Sequence, residues 1–335
     1  MPDIDFLIIG AQKAGTTSLF EYMRRHPQIH MPAEKEVYFF NSDRAYSRGR
    51  DWYLALMTAG APPGAICGEA TAQYMAGAPH KDLEHGDRDD LQPDSGQKLP
   101  PEDVIPARIK RLFSEVKLVC VLRDPVDRAY SHYRMAALSR IESRSFDEAV
   151  DQLLAPGALE RARSGHTGTD GYVVIGEYAR ILAGFLRVFP REQLMLVFSG
   201  ELEQRPTEAL AKVFGFVGVA PDFVPENLNT RYLAGAAKQR IPGLNLFVWK
   251  TRLARIRPAR ALWQALPVRL HRAVGRAYSV AAYRIQLWNA RRDAVPEDMP
   301  AATRQKLIAH FRHDSETLRD LLDSEVPWLR EWANR

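Results

Sequence analysis

Apolar positions along the chain follow two rhythms. Short runs rich in Val, Ile and Leu fall at residues 5–9, 65–69, 117–122 and 193–198. Their lack of strict alternation predicts strands covered on both faces, as parallel strands are. Between these runs, apolar residues recur every three or four positions over 17–25, 106–115, 126–139, 175–189 and 206–216, which predicts amphipathic helices. Pro106 and Pro206 suit a first helical turn, where the missing N–H costs nothing. Strands alternating with helices predict right-handed βαβ units in an α/β fold, with ligands bound beyond the carboxyl ends of the strands. Residues 76–103 break the rhythm with Gly, Pro, Asp and His, and read as a long loop at that edge. It is either a surface insertion or a lid or acceptor-binding loop.

The first strand runs directly into chemistry. Residues 6–18 read FLIIGAQKAGTTS, an apolar strand followed by a glycine-bounded loop that opens a helix. Such a loop presents backbone N–H groups at a helix N-terminus, where the macrodipole favours an oxyanion. Gln12, Lys13, Ala14, Gly15, Thr16, Thr17 and Ser18 are therefore candidate phosphate-binding residues. An ATP-binding P-loop places its lysine after the second glycine, whereas here Thr16 follows Gly15 and Lys13 lies within the loop. The sheet is thus P-loop-like without the nucleotide triphosphatase signature. Lys13 and Arg123 both follow strands directly, so the topology places both at one edge.

Two further stretches give the loop a family context. HP (His26, Pro27) precedes EVYFF (Glu36 to Phe40), and VCVLRDPVDRAYSHY spans Val119 to Tyr133. With GAQKAGTTSL (Gly10 to Leu19), these resemble the sulfotransferases that use 3′-phosphoadenosine 5′-phosphosulfate (PAPS), in the branch containing heparan sulfate sulfotransferases and bacterial relatives. The likeness runs from residue 5 to about 243 and returns in the C-terminal helix with its PWLREW ending. It implies that Lys13 meets the leaving phosphate, that Glu36 is the general base, and that Arg123 and Ser131 hold the 3′-phosphate. Tyr232, Lys238 and Arg240 resemble a C-terminal loop that closes over the nucleotide, with Gln239 standing where a glycine is usual. Ala70 stands where heparan-type relatives carry a lysine. No metal is implied. Read without the resemblance, Glu36 could equally be an exposed carboxylate paired with Lys35 or Arg44, and Arg123-Asp124-Pro125 a polar turn closing a strand.

Charge adds one more region. The 335-residue chain carries a net charge of +5, yet residues 244–292 hold eleven Lys or Arg and no acid. The rest of the chain is therefore net negative. Trp249, Trp263, Tyr278, Tyr283 and Trp288 are interleaved with these cations, which fits amphipathic helices on an anionic membrane surface or a packed helical subdomain. No nucleic-acid module accompanies the segment. The expected organisation is a core over 1–243, a basic helical insertion over 244–298, and a C-terminal helix over 299–335 that completes the core. Two cysteines, Cys67 and Cys120, lie in apolar runs and suit a reducing compartment. No apolar run reaches a membrane span, so the expected location is cytoplasmic, peripheral on the inner membrane face if the basic segment meets lipid. The expected acceptor is a small molecule, glycan or lipid-linked hydroxyl, with an amine second. Rival readings are a magnesium-dependent P-loop kinase or hydrolase, and a non-catalytic membrane-associated binding protein of the same fold.

Overall fold

The computed structural model describes residues 3–32, 35–78, 99–138, 141–166, 168–228 and 298–334. Tyr232, Lys238, Arg240, the basic stretch 244–292 and most of the loop assigned to 76–103 lie outside these. One compact unit comprises Met1–Tyr133, Arg144–Tyr232 and Met299–Arg335. A second, Arg134–Ser143 with Leu233–Asp298, falls almost wholly outside the described residues.

The apolar runs form the sheet. Strands β1 (Phe6–Gly10), β2 (Ile29–His30), β3 (Ile66–Ala70), β4 (Lys117–Leu122) and β5 (Leu194–Phe198) lie in the order β2-β3-β1-β4-β5 among the described residues. All pairings are parallel, and every residue of β1 is buried. Central β1 is thus covered above and below, which explains its run of Leu and Ile. The chain leaves β1 toward β2 and β3, then crosses to β4 and β5 on the other side. The crevice between β1 and β4 is therefore a topological switch point.

Helices fill the crossovers: α1 (Thr16–Met23), α2 (Asp43–Tyr46), α3 (Gly49–Met57), α4 (Pro101–Leu112), α5 (Pro125–Leu138), α6 (Phe146–Leu153), α7 (Ala158–Arg163), α8 (Tyr178–Leu186), α9 (Ser199–Gln204) and α10 (Pro206–Val217). Pro206 opens α10 as its sequence position suggests. Pro106 does not open a helix. Pro101 occupies that position in α4, Pro106 lies inside, and residues 101–103, assigned to the loop, form the first turn. Pro106 cannot donate to the Glu102 carbonyl. α8 packs there through Gly184, where a Cβ would stand 2.6 Å from that oxygen. The apolar pattern of 175–189 likewise contracts, because Val174–Gly176 is a 3₁₀ turn and α8 begins at Tyr178.

Two later helices, α11 (Ala301–Leu322) and α12 (Pro327–Ala333), close the unit. Leu307, Phe311 and Leu318 of α11 are buried, and Asp314 accepts the N–H groups of Ala179 and Arg180 at 3.1 and 3.2 Å. A side chain from α11 thereby caps α8, whose own N-cap residue, Glu177, makes no side-chain bond to the helix's free N–H groups. Among the described residues no helix is long and apolar enough to cross a membrane.

Glu177 joins three of these helices. Its buried carboxylate binds Arg163 at 2.7 and 2.9 Å, Arg180 at 2.7 Å and His310 at 3.2 Å. Burial pushes its pKa up, but hydrogen bonds from His310 and Arg163 and the charge of Arg180 outweigh it and hold the pKa at about 2. Breaking a fully buried pair costs ~3–5 kcal/mol, but both arginines retain some contact with water, so we predict that Glu177→Gln costs about 2 kcal/mol at pH 6. Because the folded pKa lies below the unfolded value of about 4.3, this stability is present above that pH and is lost as pH falls toward 2. Urea midpoints should therefore separate the variant from wild type at pH 6 and converge below pH 4. A gap that does not narrow would show that Glu177 acts through packing alone.

Candidate active site

The glycine-bounded loop leaves β1 beside β4, because the Ala11 N–H reaches the Val121 carbonyl at 2.7 Å. Lys13 and Gly15 adopt left-handed φ values of 72° and 110°. Only glycine does so without steric cost, so Gly15 is the natural residue for the sharp entry into α1. No side chain caps α1, and no acid lies in its first turn. The N–H groups of Thr16, Thr17 and Ser18 thus stand at a positive helix end without a capping acceptor. Thr16 and Ala14 are buried, whereas Gln12, Lys13, Thr17 and Ser18 are half-buried and Gly15 is exposed.

Glu36 stands at the neighbouring strand end. Its N–H donates to the Ala70 carbonyl at 2.9 Å, and the Val37 N–H donates to Thr71 Oγ1 at 3.0 Å. These bonds hold a strained stretch in which Glu36 and Tyr38 have φ values of 65° and 59°. Non-glycine residues in this region cost on the order of 1 kcal/mol or more, and such residues cluster at functional sites. Glu36 Oε2 accepts the Ala72 N–H at 3.0 Å, and Oε1 accepts the Lys35 ammonium. The pairing with Lys35 that the sequence allows is therefore present, on a carboxylate anchored to the sheet edge. Arg44 is not its partner. Phe39 and Phe40 of the same stretch are core residues, with Phe39 stacked on Tyr53 at 4.3 Å.

Glu69 of β3 is fully buried, and its carboxylate accepts the Tyr53 hydroxyl at 3.2 Å and the Thr71 hydroxyl. Burial pushes its pKa up to about 7 against the pull of these hydroxyls and of Lys35. Burial also pushes the Lys35 ammonium down to about 8, opposed by Glu69 and assisted by Lys13. Two lysines and two glutamates thus gather where β1 and β3 end.

Arg123 leaves β4 at the same edge. Its carbonyl accepts the Tyr178 hydroxyl at 3.0 Å, while its half-buried guanidinium has no acidic partner among the described residues. Ser131 lies two turns into α5, also half-buried. Asp124 sets the turn between Arg123 and α5: it accepts the Val126 N–H at 2.8 Å and the Trp332 indole at 3.0 Å. That clamp from α12 bridges 208 residues, and no local pattern in the sequence reveals it. The PWLREW ending was its only signal. Lys13, Glu36 and Arg123 are thus brought to one edge, with Ser131 on the helix beyond it; Tyr232, Lys238 and Arg240 fall outside the described residues. Among the described residues no three His, Cys, Asp or Glu side chains form a metal-ligand cluster.

Comparison with known proteins adds to this geometry. A family profile described as "Sulfotransferase domain" matches residues 3–234. Over 216 residues the chain is 30% identical to heparan sulfate glucosamine 3-O-sulfotransferase 3B1 of Mus musculus, covering 64% of this chain and 45% of that protein. Over 226 residues it is 30% identical to bifunctional heparan sulfate N-deacetylase/N-sulfotransferase 3 of Mus musculus, covering 65% of this chain and 22% of that one. The chain thus spans less than half the length of these two relatives. A sulfotransferase crystal structure from Alicyclobacillus acidocaldarius superposes with a TM-score of 0.63 at 21% identity, covering 98% of this chain and 100% of that one. That likeness is one of fold.

The buried Glu69 generates a prediction for stability. Its folded pKa lies above the unfolded value of about 4.3, so its favourable contribution is complete below that pH and is lost as pH rises through about 7. Stability measured by urea unfolding should decline between pH 4.5 and 7.5 in the wild type, and Glu69→Gln should flatten that decline by about 1–2 kcal/mol. Equal slopes would mean that Glu69 is not the titrating group.

Proposed function

We propose that this chain, which belongs to the sulfotransferase domain family, moves a sulfuryl group from PAPS to a hydroxyl of a glycan or glycolipid, with Glu36 as general base and Lys13 stabilising the leaving phosphate. One observation carries this reading. The uncapped N-terminus of α1, the Glu36 carboxylate and the Arg123 guanidinium, which has no acidic partner among the described residues, stand at the carboxyl ends of three adjacent parallel strands. A nucleotide with phosphates at both its 5′ and 3′ positions suits such a donor set. The loop N–H groups and Lys13 would take the 5′ end, while the Arg123 fork and the Ser131 hydroxyl would take the 3′-phosphate. Tyr232, Lys238 and Arg240 would close over the nucleotide, on the strength of their sequence pattern. When bound, PAPS supplies the sulfuryl group and a phosphate leaving group.

The chain's own residues then have two tasks. Glu36 removes the proton of the acceptor hydroxyl as its oxygen becomes nucleophilic, with the carboxylate oriented by the Ala72 N–H. Lys13 and the first turn of α1 offset the negative charge that grows on the departing phosphate. The glycan class of acceptor rests on the names of the relatives, one a 3-O-sulfotransferase and one an N-sulfotransferase, so an amine is the second choice. The eleven cations of 244–292 favour an anionic or lipid-borne acceptor at a membrane surface.

Two measurements test the assignment. The product nucleotide, 3′-phosphoadenosine 5′-phosphate, should raise Tm far more than AMP, and Arg123→Ala should weaken its binding by about 1.5–3 kcal/mol. Equal stabilisation by both nucleotides would remove the 3′-phosphate site. Glu36→Gln should cut turnover roughly 10²–10⁴-fold with little change in nucleotide affinity. Sulfate transfer should persist in EDTA, whereas magnesium-dependent phosphate transfer would favour the kinase reading instead.

A further inference from the structure

Glu36 is gripped from both carboxylate oxygens, by the Ala72 N–H at 3.0 Å and by the Lys35 ammonium. Neighbouring side chains of an extended strand point to opposite faces. The left-handed backbone at Glu36 breaks that alternation and lets Lys35 and Glu36 meet. The Lys35 side chain is only 15% exposed, and it senses Glu69 of β3 and Lys13 of the phosphate loop as well as Glu36. A lysine on the surface would share its charge with water; this one shares it with the groups assigned to the reaction.

We propose that Lys35 is the positioning residue of the base, holding the Glu36 carboxylate in one orientation and keeping it ionised until it takes the acceptor's proton. The proposal rests on reading Glu36 as the base. An arginine or lysine beside a carboxylate favours its charged form, so a lost ammonium would leave Glu36 both freer to rotate and easier to protonate before substrate arrives. Among the described residues, the charged and titratable groups facing Lys35 are Glu36 on its own segment, Glu69 on β3 with Tyr53, Thr71 and Tyr74 bound to it, and Lys13 on the loop. Lys35 titrates near pH 8, so its grip is lost as pH rises through that value.

The test uses Lys35→Met and Lys35→Arg in the full chain. Lys35→Met should lower kcat about 10- to 100-fold while leaving the donor KM and the Tm shift with 3′-phosphoadenosine 5′-phosphate unchanged. Lys35→Arg should restore most of kcat and move the alkaline limb of its pH profile upward. Adding Lys35→Met to Glu36→Gln should cost nothing further, because a positioning residue has no effect once its base is gone. Competitive acetylation followed by mass spectrometry gives an independent readout: Lys35 should titrate near pH 8, and lower in Glu36→Gln, which removes the negative charge it is bonded to. Wild-type kcat in Lys35→Met, additive losses in the double variant, or a Lys35 midpoint unmoved by Glu36→Gln would each overturn the proposal. Wild-type turnover in Glu36→Gln would instead overturn the assignment of the base, a result the Lys35 variants alone cannot produce.

Discussion

The site depends on the parallel pairing of β1 with β3 on one side and β4 on the other, continued past the ends of the strands. Beyond the last paired residues, Thr71 N–H still bonds the Ile8 carbonyl at 3.1 Å and Ala11 N–H the Val121 carbonyl at 2.7 Å. These bonds carry the register into the loops. Slipping one strand by a residue would turn its side chains to the opposite face, so the buried Leu7, Ile8 and Ile9 lock the alignment that the loops inherit. Lys13, Glu36 and Arg123, distant in sequence, are brought to one edge because each follows or binds the end of one of these adjacent strands.

Electrostatics divides the buried acids into two kinds. Glu177 is matched by arginines from its own and a neighbouring helix, and its pKa is held low. It is a structural acid, ionised near neutrality. Glu69 is matched mainly by hydroxyls, and burial dominates its pKa. Asp124 and Asp314 resemble Glu69 in this respect, each pushed by burial to about 6 while capping a helix with its oxygens. The two arginines thus hold Glu177 ionised between helices, whereas Glu69 at the end of β3 has hydroxyl partners that leave burial to set its pKa.

Much of this was legible in the chain. The Val/Ile/Leu runs that mark β1, β3, β4 and β5 are dense because both faces of a parallel sheet are covered, and that density is a local signal. The glycine-bounded loop is local too, since Gly15 and the uncapped first turn of α1 are neighbours in sequence. Proline was ambiguous: Pro101 and Pro106 are both compatible with an opening turn, and only the packing of α8 on α4 decides between them. Helices α2 and α7, of four and six residues, are too short for their periodicity to stand out. Lys35 could be seen as a partner of Glu36, but its burial against Glu69 and Lys13 could not, because burial is set by β1 and β3 together. The Trp332–Asp124 bond belongs to the same class of tertiary contact, made between segments with no shared pattern.

The left-handed backbone at Glu36 has a meaning for how related sequences are compared. Glycine at that position would relieve strain of about 1 kcal/mol. Mutational drift favours such relief wherever function does not forbid it. At 36 that relief is opposed by the loss of the carboxylate's bonds to the Ala72 N–H and the Lys35 ammonium. A carboxylate kept on that unfavourable backbone is held there by what it binds. On the role proposed for Glu36, the identity of this single position marks which sequences of the family keep the base.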